Sequence, residues 1–478
     1  MIGIAAVTFV ARLVPVLRGG GLLGLGNYDD GVYYGAATGL VHGRMPYRDF
    51  LLLHPPGILL VLAPWAAVGR LFGDPVGFAA ARLAWMLMGV LSGLLIFRIL
   101  RPVGVVAALT GSVFYAVFYP AIYGDHSTLL EGLATLCTMV ALWLIIKARH
   151  GRPGHLELLA GVALGFSAST KIWGVVAALV VVVWMVVTVG PRRASKVAWG
   201  TLLGAVAVCL PFFVAAPTQM WRMVVTDQLA RPLVSTGTVL RVMQIVGQSR
   251  SPTLTPAAVG IAVVMAALAL CACRSWIGRL AVALLASGGL LLLVAPSWFF
   301  HYTAMTAGYL ALTVGIGVNE VVAWSTRRSR GLGRLVIAAA IAGIVFCALP
   351  LHVAPGHRFP SHQLDAAMSR LPGCVTADDP ATLIELNVMG RNLDRGCRLV
   401  VDLGGQSYDN PPPAGTSRAR DAAWQSYVLA YLRSGSAALL TRFSAHHGLS
   451  VATSTAIRGW TRIDRSGRYV LLGPAAAH

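Results

Sequence analysis

Charged residues are scarce in this chain: Asp, Glu, Lys and Arg make up 12% of its 478 residues. Soluble domains carry about twice that share, so an ordinary soluble protein is excluded. Acidic residues are scarcest, 18 against 38 Lys and Arg, and the net charge of +20 would suit a nucleic-acid-binding protein. The basic residues, however, lie mostly in short connections between apolar runs, as in membrane proteins. We therefore expect membrane lipids as partners and no nucleic acid.

Several sequence motifs of soluble and ATP-driven enzymes are also missing. The chain has no Walker A sequence, no Rossmann glycine pattern, no HExxH and no Cys–His spacing typical of a zinc site. An ATP-driven pump or a soluble-type NAD enzyme is therefore unsupported, and we expect no nucleotide cofactor. The first apolar stretch, Ile2 to Leu17, lacks a basic leader and an A-x-A cleavage site, which predicts a retained first helix.

Apolar runs long enough to cross a bilayer recur along most of the chain. Hydrophobic residues make up 56% of the sequence, and the mean hydropathy is +0.71. The pattern predicts an α-helical polytopic membrane protein with about eleven transmembrane helices. We place them at residues 2–18, 79–99, 103–122, 128–147, 157–170, 172–190, 197–216, 255–273, 277–296, 303–324 and 333–351.

One further apolar stretch, residues 55–72, decides the orientation. It has prolines at its start and in its middle, so we predict a short, interrupted helix at the outer membrane interface instead of a span. Alternate short connections then hold fourteen basic residues, and the opposite ones hold one, Lys171. Because basic residues favour the cytoplasmic side, the first loop (19–78) and the C-terminal part are predicted to lie outside.

The sequence changes character after residue 352. Residues 353–478 are polar, and short apolar runs alternate there with helix-like stretches, which predicts a small extracytoplasmic α/β domain behind a transmembrane domain at 1–352. Cys374 and Cys397 lie in this part, where the compartment permits a disulfide between them; two unpaired thiols are the alternative. The apolar runs are 399–401, 438–440 and 469–472, and the helix-like stretches are 380–391 and 420–434.

The first outer loop holds the residues best suited to chemistry. Asp29 and Asp30 follow the first span closely, and a carboxylate at the membrane surface can act as a general base toward a hydroxyl or bind a metal. A solvated acidic turn at the start of a helix is the alternative. The sequence does not decide which aspartate would be the base. Side chains that can hold a phosphate or anchor the loop to headgroups are Arg44, Arg48, His54 and Arg82.

A second set of candidates lies at the outer ends of later spans. Asp125 is either a functional carboxylate or the N-cap of the next helix. Glu131, about one turn inside the fourth span, needs a partner at that depth. Lys171 can bind a lipid phosphate or snorkel to the interface. The remaining pocket candidates are His126, His301 and Tyr302.

The order of these features resembles the GT-C superfamily of glycosyltransferases that use lipid-linked sugars, over about residues 1–350. In this sequence the order is a first span, an outer loop with Asp-Asp, Pro-Tyr-Arg-Asp-Phe and His-Pro-Pro-Gly segments, an Asp in the second outer loop and a Lys after the fifth span. The resemblance implies that Asp29 and Asp30 match the first-loop carboxylates, Asp125 the second-loop acid and Lys171 a basic position near the donor phosphate. His54 departs from the charged residue that relatives often have there.

The resemblance implies inverting transfer of a hexosyl or pentosyl group from a polyprenyl-phosphate donor to a hydroxyl of a glycan, lipid or protein. The reaction would take place at the outer face of the cytoplasmic membrane. Asp29, Asp30 or Asp125 would act as catalytic carboxylates, and Asp29 and Asp125 would be the ligands of any divalent cation, a requirement that the sequence leaves open. The donor phosphate would be held by Lys171, Arg44, Arg48 and Arg82.

Two other functions compete with the enzyme. A transporter or flippase of lipid-linked sugars would place ionisable groups in the middle of several spans. Nearly all such groups here lie at the outer ends, which favours an enzyme working at that surface. The second alternative is a non-catalytic GT-C-like scaffold whose outer part binds glycan.

Overall fold

The structure is a computed structural model, in which residues 1–150, 154–231, 236–248, 256–349, 356–409, 416–442 and 448–474 are described. The predicted domain boundary at residues 352 and 353 lies outside them and stays a prediction. The helices of the first half are α1 (Ile2–Arg18), α2 (Tyr28–Val41), α3 (Gly57–Phe72), α4 (Asp74–Leu100), α5 (Val105–Val117), α6 (Tyr119–Asp125), α7 (Leu130–His150), α8 (His155–Thr170), α9 (Gly174–Val189), α10 (Pro191–Ala215), α11 (Pro217–Trp221) and α12 (Asp227–Leu229).

Helices continue in the second half, followed by short strands. The helices are α13 (Thr238–Ile245), α14 (Pro256–Ala272), α15 (Trp276–Val294), α16 (Ala304–Arg328), α17 (Arg330–Ala348), α18 (Ser361–Ser369), α19 (Pro380–Glu385), α20 (Met389–Asp394), α21 (Gln406–Asp409), α22 (Ala422–Arg433) and α23 (Val451–Arg458). The strands are β1 (Val375–Ala377), β2 (Ala437–Leu440), β3 (Thr461–Ser466) and β4 (Tyr469–Gly473).

The chain forms two compact units that alternate along the sequence. The first unit comprises Met1–Arg18, Leu83–Cys209 and Leu233–Ala354. The second unit comprises Gly19–Arg82, Leu210–Pro232 and Pro355–His478.

The first unit is a helical bundle in which α16 is buried along most of its length. Small residues allow other helices of this unit to approach closely. A Cβ atom added at Gly165 of α8 would lie 2.7 Å from the backbone nitrogen of Ala205 in α10. That distance is too short for a real carbon atom, so the packing of α8 on α10 requires glycine.

Within the described residues, six helices are long and apolar enough to cross a membrane: α4, α7, α10, α15, α16 with its preceding turn, and α17. A seventh span arises if α5 and α6 count as one. The chain is thus an integral membrane protein. Each apolar run predicted as a span does contain a helix, but several of these helices are shorter than a full span, so the predicted number of about eleven is not confirmed.

Two local differences from the sequence prediction involve proline. The run 103–122 is not one helix, because it breaks between α5 and α6, which meet at a bend of 61°. Pro120 lies in the first turn of α6, where its missing N–H costs nothing, whereas it would break a continuous helix. The prediction that Pro64 interrupts the segment 55–72 is wrong, since α3 runs through it from Gly57 to Phe72.

The second unit contains a four-stranded sheet with the order β1-β2-β4-β3. Strands β1 and β2 are parallel, and β2 with β4 and β4 with β3 are antiparallel. The predicted disulfide between Cys374 and Cys397 is present. In the same unit α2 packs on α19 so closely that a Cβ atom at Gly31 would lie 2.6 Å from the backbone nitrogen of Ala381. This contact fixes the helix that carries the first-loop aspartates.

Candidate functional site

Asp29 and Asp30 lie in the first turn of α2, in the second unit. Asn27 caps this helix by accepting a hydrogen bond from the backbone N–H of Asp29, at 3.0 Å. Asp30 is fully buried, and the Arg82 guanidinium donates to its Oδ2 atom from Nε at 2.8 Å and from Nη2 at 2.7 Å. Asp29 is only partly buried. The helix N-terminus favours negative charge at both positions, and the buried Arg82 neutralises Asp30.

Besides its pair with Asp30, Arg82 also holds the start of the first loop. Its Nη1 atom donates to the backbone carbonyl of Gly24 at 3.1 Å and to that of Leu22, and its guanidinium lies 4.0 Å from the ring centroid of Phe78. The predicted donor-phosphate role for Arg82 therefore competes with a dense set of contacts inside the protein.

Asp402 is the second carboxylate near Asp29. Burial raises the pKa of Asp402 above its usual value, and the negative charge of Asp29 raises this pKa further. The backbone N–H of Gly405 donates to Asp402 Oδ1 at 2.6 Å, and that bond together with the charges of Arg231 and Arg418 opposes the rise. The charge of Asp402 is therefore coupled to that of Asp29 and to two guanidinium groups.

The other first-loop candidates form local contacts in the same unit. Arg48 pairs with its neighbour Asp49 at 2.9 Å, and this pair lowers the pKa of Asp49, with Arg44 contributing a further charge. The ring of His54 meets that of Tyr33 edge-on, with centroids 5.8 Å apart. These contacts stabilise the loop.

Four sequence-predicted residues come together in the first unit. Lys171 donates to Glu131 Oε1, and its ammonium lies 3.8 Å from the ring centroid of Tyr302 and 4.4 Å from that of Trp173. His301 Nε2 is 3.8 Å from the same Glu131 oxygen. All of these residues except Trp173 are buried. Glu131 therefore has the partner that its depth required, and Lys171 is a buried ion-pair member instead of a snorkelling side chain.

Asp125 forms a second buried pair in the first unit. Its Oδ2 atom accepts hydrogen bonds from Arg12 Nη2 at 2.7 Å, from Arg12 Nε at 3.0 Å and from the Tyr115 hydroxyl at 3.0 Å. Asp125 is the last residue of α6, and α7 begins five residues later at Leu130, so the N-cap alternative is wrong. His126 follows it and contacts the ring of Tyr123, with centroids 5.0 Å apart.

Two residues of these clusters, Arg12 and Asp402, were not predicted from the sequence. Arg12 had a signal, because a cation inside an apolar run needs a buried partner. Asp402 had none, since an aspartate in a polar stretch is ordinary. Among the described residues, no group of three or more His, Cys, Asp or Glu side chains is arranged to hold a metal ion.

The chain is similar to a known family in sequence and to known proteins in structure. The family profile described as "Dolichyl-phosphate-mannose-protein mannosyltransferase" matches residues 54–221. No curated protein matches the chain in sequence.

Solved structures match over most or all of the chain. ArnT from Cupriavidus metallidurans bound to undecaprenyl phosphate has a TM-score of 0.63 at 15% identity, covering 100% of this chain and 98% of that one. Its apo form gives 0.62 at 15% identity, with 99% and 98% covered. The Archaeoglobus fulgidus oligosaccharyltransferase tethered with an acceptor peptide gives 0.60 at 12% identity, covering 92% of this chain and 68% of that one.

At such identities the structural matches carry the fold, and the family profile adds the sequence signal for the segment from His54 to Trp221. Both agree with the resemblance that the first-loop motifs suggested. The chain therefore has the fold of these GT-C membrane glycosyltransferases, and its residues 54–221 match the mannosyltransferase profile.

Proposed function

We propose that this protein transfers a sugar from a polyprenyl-phosphate donor to a hydroxyl group of an acceptor at the outer face of the cytoplasmic membrane. The observation that carries the proposal is the GT-C fold over the whole chain combined with the family match over residues 54–221. The ArnT structure holds undecaprenyl phosphate, which supports a donor of that class. The acceptor peptide on the oligosaccharyltransferase supports an acceptor that reaches the enzyme from outside the bilayer.

The finer topology belongs to the same proposal. About eleven spans, with residues 353–478 and the first loop outside, agree with the strong bias of basic residues toward alternate short connections. The described part of 353–478 contains both helices and a sheet, which supports an extracytoplasmic α/β region. This arrangement would bring the acceptor to the side where nucleotide sugars are not available, so the donor must carry its own leaving group.

Asp29 is the general base in this proposal, and Asp30 is a positioning residue. Asp30 is buried and neutralised by Arg82, which leaves it poorly suited to take a proton from a substrate. Asp29 is partly exposed and stands beside Asp402. A base must reach the acceptor hydroxyl directly, and a partly exposed side chain satisfies that condition better than a fully buried one.

The proposed reaction is a single displacement. Asp29 accepts the proton of the acceptor hydroxyl, the oxygen forms a bond to the anomeric carbon, and the polyprenyl phosphate leaves with the electron pair of the broken carbon–oxygen bond. Cations stabilise the departing phosphate. The candidates for this role are those predicted from the sequence, Lys171, Arg44, Arg48 and Arg82.

The test is transfer by purified full-length protein supplied with radiolabelled polyprenyl-phosphate hexoses and pentoses and with envelope extracts as acceptors. Asp29→Asn should keep the fold and lower the rate by about 10²–10⁴-fold, as loss of a positioned base does. The exposed Asp365→Asn serves as a matched control that should retain wild-type turnover. Parallel reactions with EDTA, Mg²⁺ and Mn²⁺ test the divalent cation that the sequence left open.

Two results would change the assignment. If Asp29→Asn turns over normally while a folded Asp30→Asn is inactive, the base is Asp30. If both variants remain active, the first-loop aspartates do not carry the chemistry and the base lies elsewhere in the chain. Absence of transfer by the wild-type protein would instead favour the non-catalytic scaffold. The thermal stability of each variant is measured beside its activity, because Asp30→Asn leaves Arg82 buried without its counter-ion.

A further inference from the structure

A large cavity of about 1050 Å³ opens in the second unit, and the described residues that line it all belong to that unit. Its floor is one face of the sheet. Leu440 and Val470 face each other on β2 and β4, and Leu472 pairs with Arg462 of β3. Because paired residues point to the same face of a sheet, the Arg462 side chain lies on the cavity side with these apolar residues.

Helix α23 forms a second wall of the cavity. Ser454, Ile457 and Arg458 line it, at spacings of three and four residues that place them on one face of the helix. The cavity thus lies between regular elements, a sheet face and a helix face, and these elements hold Arg458 and Arg462 in defined places.

Positive charge dominates the lining. Among the described lining residues there are five arginines and one carboxylate, Asp379. Burial raises the pKa of Asp379 to about 7, which further reduces the negative charge in the cavity near neutral pH. The lining arginines are Arg418, Arg442, Arg458, Arg462 and Arg468.

These arginines differ in how they are used inside the protein. Arg418 donates to the carbonyl of Gly404 and to the Ser407 hydroxyl, both at 3.1 Å, so it supports the fold. The side chains of Arg458 and Arg462 are exposed, and neither forms a hydrogen bond or an ion pair within the part of the chain that the structure describes. Their guanidinium groups remain available to bind planar anions such as carboxylate and phosphate.

The cavity also reaches the start of the helix that carries the proposed base. Leu25 and Gly26, which shortly precede Asp29, belong to its lining. Arg442 lies over the ring of Tyr28, the residue before Asp29, with its guanidinium carbon 4.2 Å from the ring centroid. A molecule held in the cavity is therefore adjacent to the first turn of α2.

We propose that this cavity binds the acceptor, and that the acceptor is an anionic glycan whose carboxylate or phosphate groups are held by Arg458 and Arg462. The volume lies at the upper end of ligand pockets, roughly 300–1,000 Å³, so it suits several sugar units better than a single ion. The role of this glycan as the acceptor rests on the proposed function, whereas its binding to the cavity is tested without sugar transfer.

The experiment measures binding to purified full-length protein in detergent by calorimetry. The probes are tetragalacturonate, a phosphorylated tetrasaccharide, neutral maltotetraose and inorganic phosphate. Arg458→Gln/Arg462→Gln removes two charges from the cavity. Arg370→Gln/Arg433→Gln removes two exposed charges of the same unit that do not line it.

We expect at least one anionic tetrasaccharide to bind saturably, and maltotetraose and inorganic phosphate to bind much more weakly. The cavity variant should weaken the anionic binding at least about tenfold, and the control should stay within about twofold, since charge-assisted hydrogen bonds are lost only in the first. Arg458→Lys/Arg462→Lys keeps the charges but loses the guanidinium fork, so it should give a smaller loss.

Three results would overturn the inference: no saturable binding of either anionic tetrasaccharide, equal weakening by the cavity and control variants, or inorganic phosphate binding as tightly as the glycans. Sugar transfer by the same variants separates this failure from failure of the proposed function. If the protein transfers sugar but does not bind the anionic glycans, only the assignment of the cavity fails. If the wild-type protein binds the anionic glycans but transfers sugar to no acceptor, only the proposed enzymatic function fails.

Discussion

Glu385 provides a sensitive test of the electrostatics of the second unit. Its side chain is buried, and neither carboxyl oxygen has a hydrogen-bond partner among the described residues. Burial raises the pKa of Glu385 from 4.5 to about 9; Arg82 opposes this rise, and the nearby carboxyls of Asp379 and Asp30 add to it. Glu385 is therefore predicted to be a neutral acid in the folded protein at neutral pH.

The sign of the effect follows from proton binding. Between pH 4.5 and about 9 the folded state holds a proton on Glu385 that the unfolded state has released, so stability falls as pH rises. The loss approaches about 1.4 kcal/mol for each pH unit. Asp379 acts in the same direction, but its pKa of about 7 confines its contribution to lower pH. The window from pH 7 to 9 therefore isolates Glu385 from Asp379.

Glu385→Gln keeps the size of the side chain and removes its titration. From pH 7 to 9 the wild type should lose about 2 kcal/mol of stability relative to this variant. The assay compares the reversible unfolding of both proteins in detergent, followed by tryptophan fluorescence, at half-unit pH steps. Asp365→Asn, which removes an exposed carboxylate, should keep the wild-type pH dependence. Parallel stability curves for wild type and Glu385→Gln would refute the reasoning, because they would mean that Glu385 is already ionised in the fold.

Two further predictions concern buried charge in the first unit. Lys171→Met removes the lysine partner of the buried Glu131 and leaves His301 Nε2 3.8 Å from the same oxygen, so it should destabilise by about 3–5 kcal/mol. Adding Glu131→Gln should restore most of that loss. Calorimetric donor affinity of the stable double variant then tests the phosphate role, since undiminished affinity would exclude it. Gly89→Ala would place a Cβ atom 2.5 Å from Asp125 Oδ2, so it should destabilise the protein by about 1–3 kcal/mol and lower its unfolding midpoint in a thermal assay. The control is Gly289→Ala, whose Cβ atom would have nothing within 4 Å and which should be neutral in the same assay.

Hydrophobic patterning predicted the helices well and their lengths poorly. Each apolar run became helical because a backbone in hydrocarbon must satisfy its hydrogen bonds within its own segment. Composition alone does not show where such a helix ends, and the break before Pro120 depends on which neighbours accept the bend. In the C-terminal part, runs 438–440 and 469–472 formed β2 and β4, whereas 399–401 formed no strand and β1 at Val375–Ala377 escaped notice. Strands of three or four residues carry too little pattern to be recognised.

The candidate site was predictable in its residue types and only partly in its partners. The first-loop aspartates and Lys171 were found because charge is rare in this sequence and each exception needs a reason. Their partners Arg82 and Glu131 were also named, but no spacing rule pairs Asp30 with Arg82 across 52 positions or Lys171 with Glu131 across 40. Such pairings depend on tertiary packing, which a single sequence does not contain.

Helix geometry explains why two adjacent aspartates can serve two purposes. Successive residues of an α-helix point about 100° apart, since 3.6 residues make a turn. On α2, Asp30 therefore turns inward to Arg82, while Asp29 lies at the partly exposed side near Asp402. The inner pair fixes the start of the helix through the carbonyl contacts of Arg82 with Leu22 and Gly24. In the proposed mechanism, a proton taken up by Asp29 therefore leaves the inner pair of Asp30 and Arg82 in place.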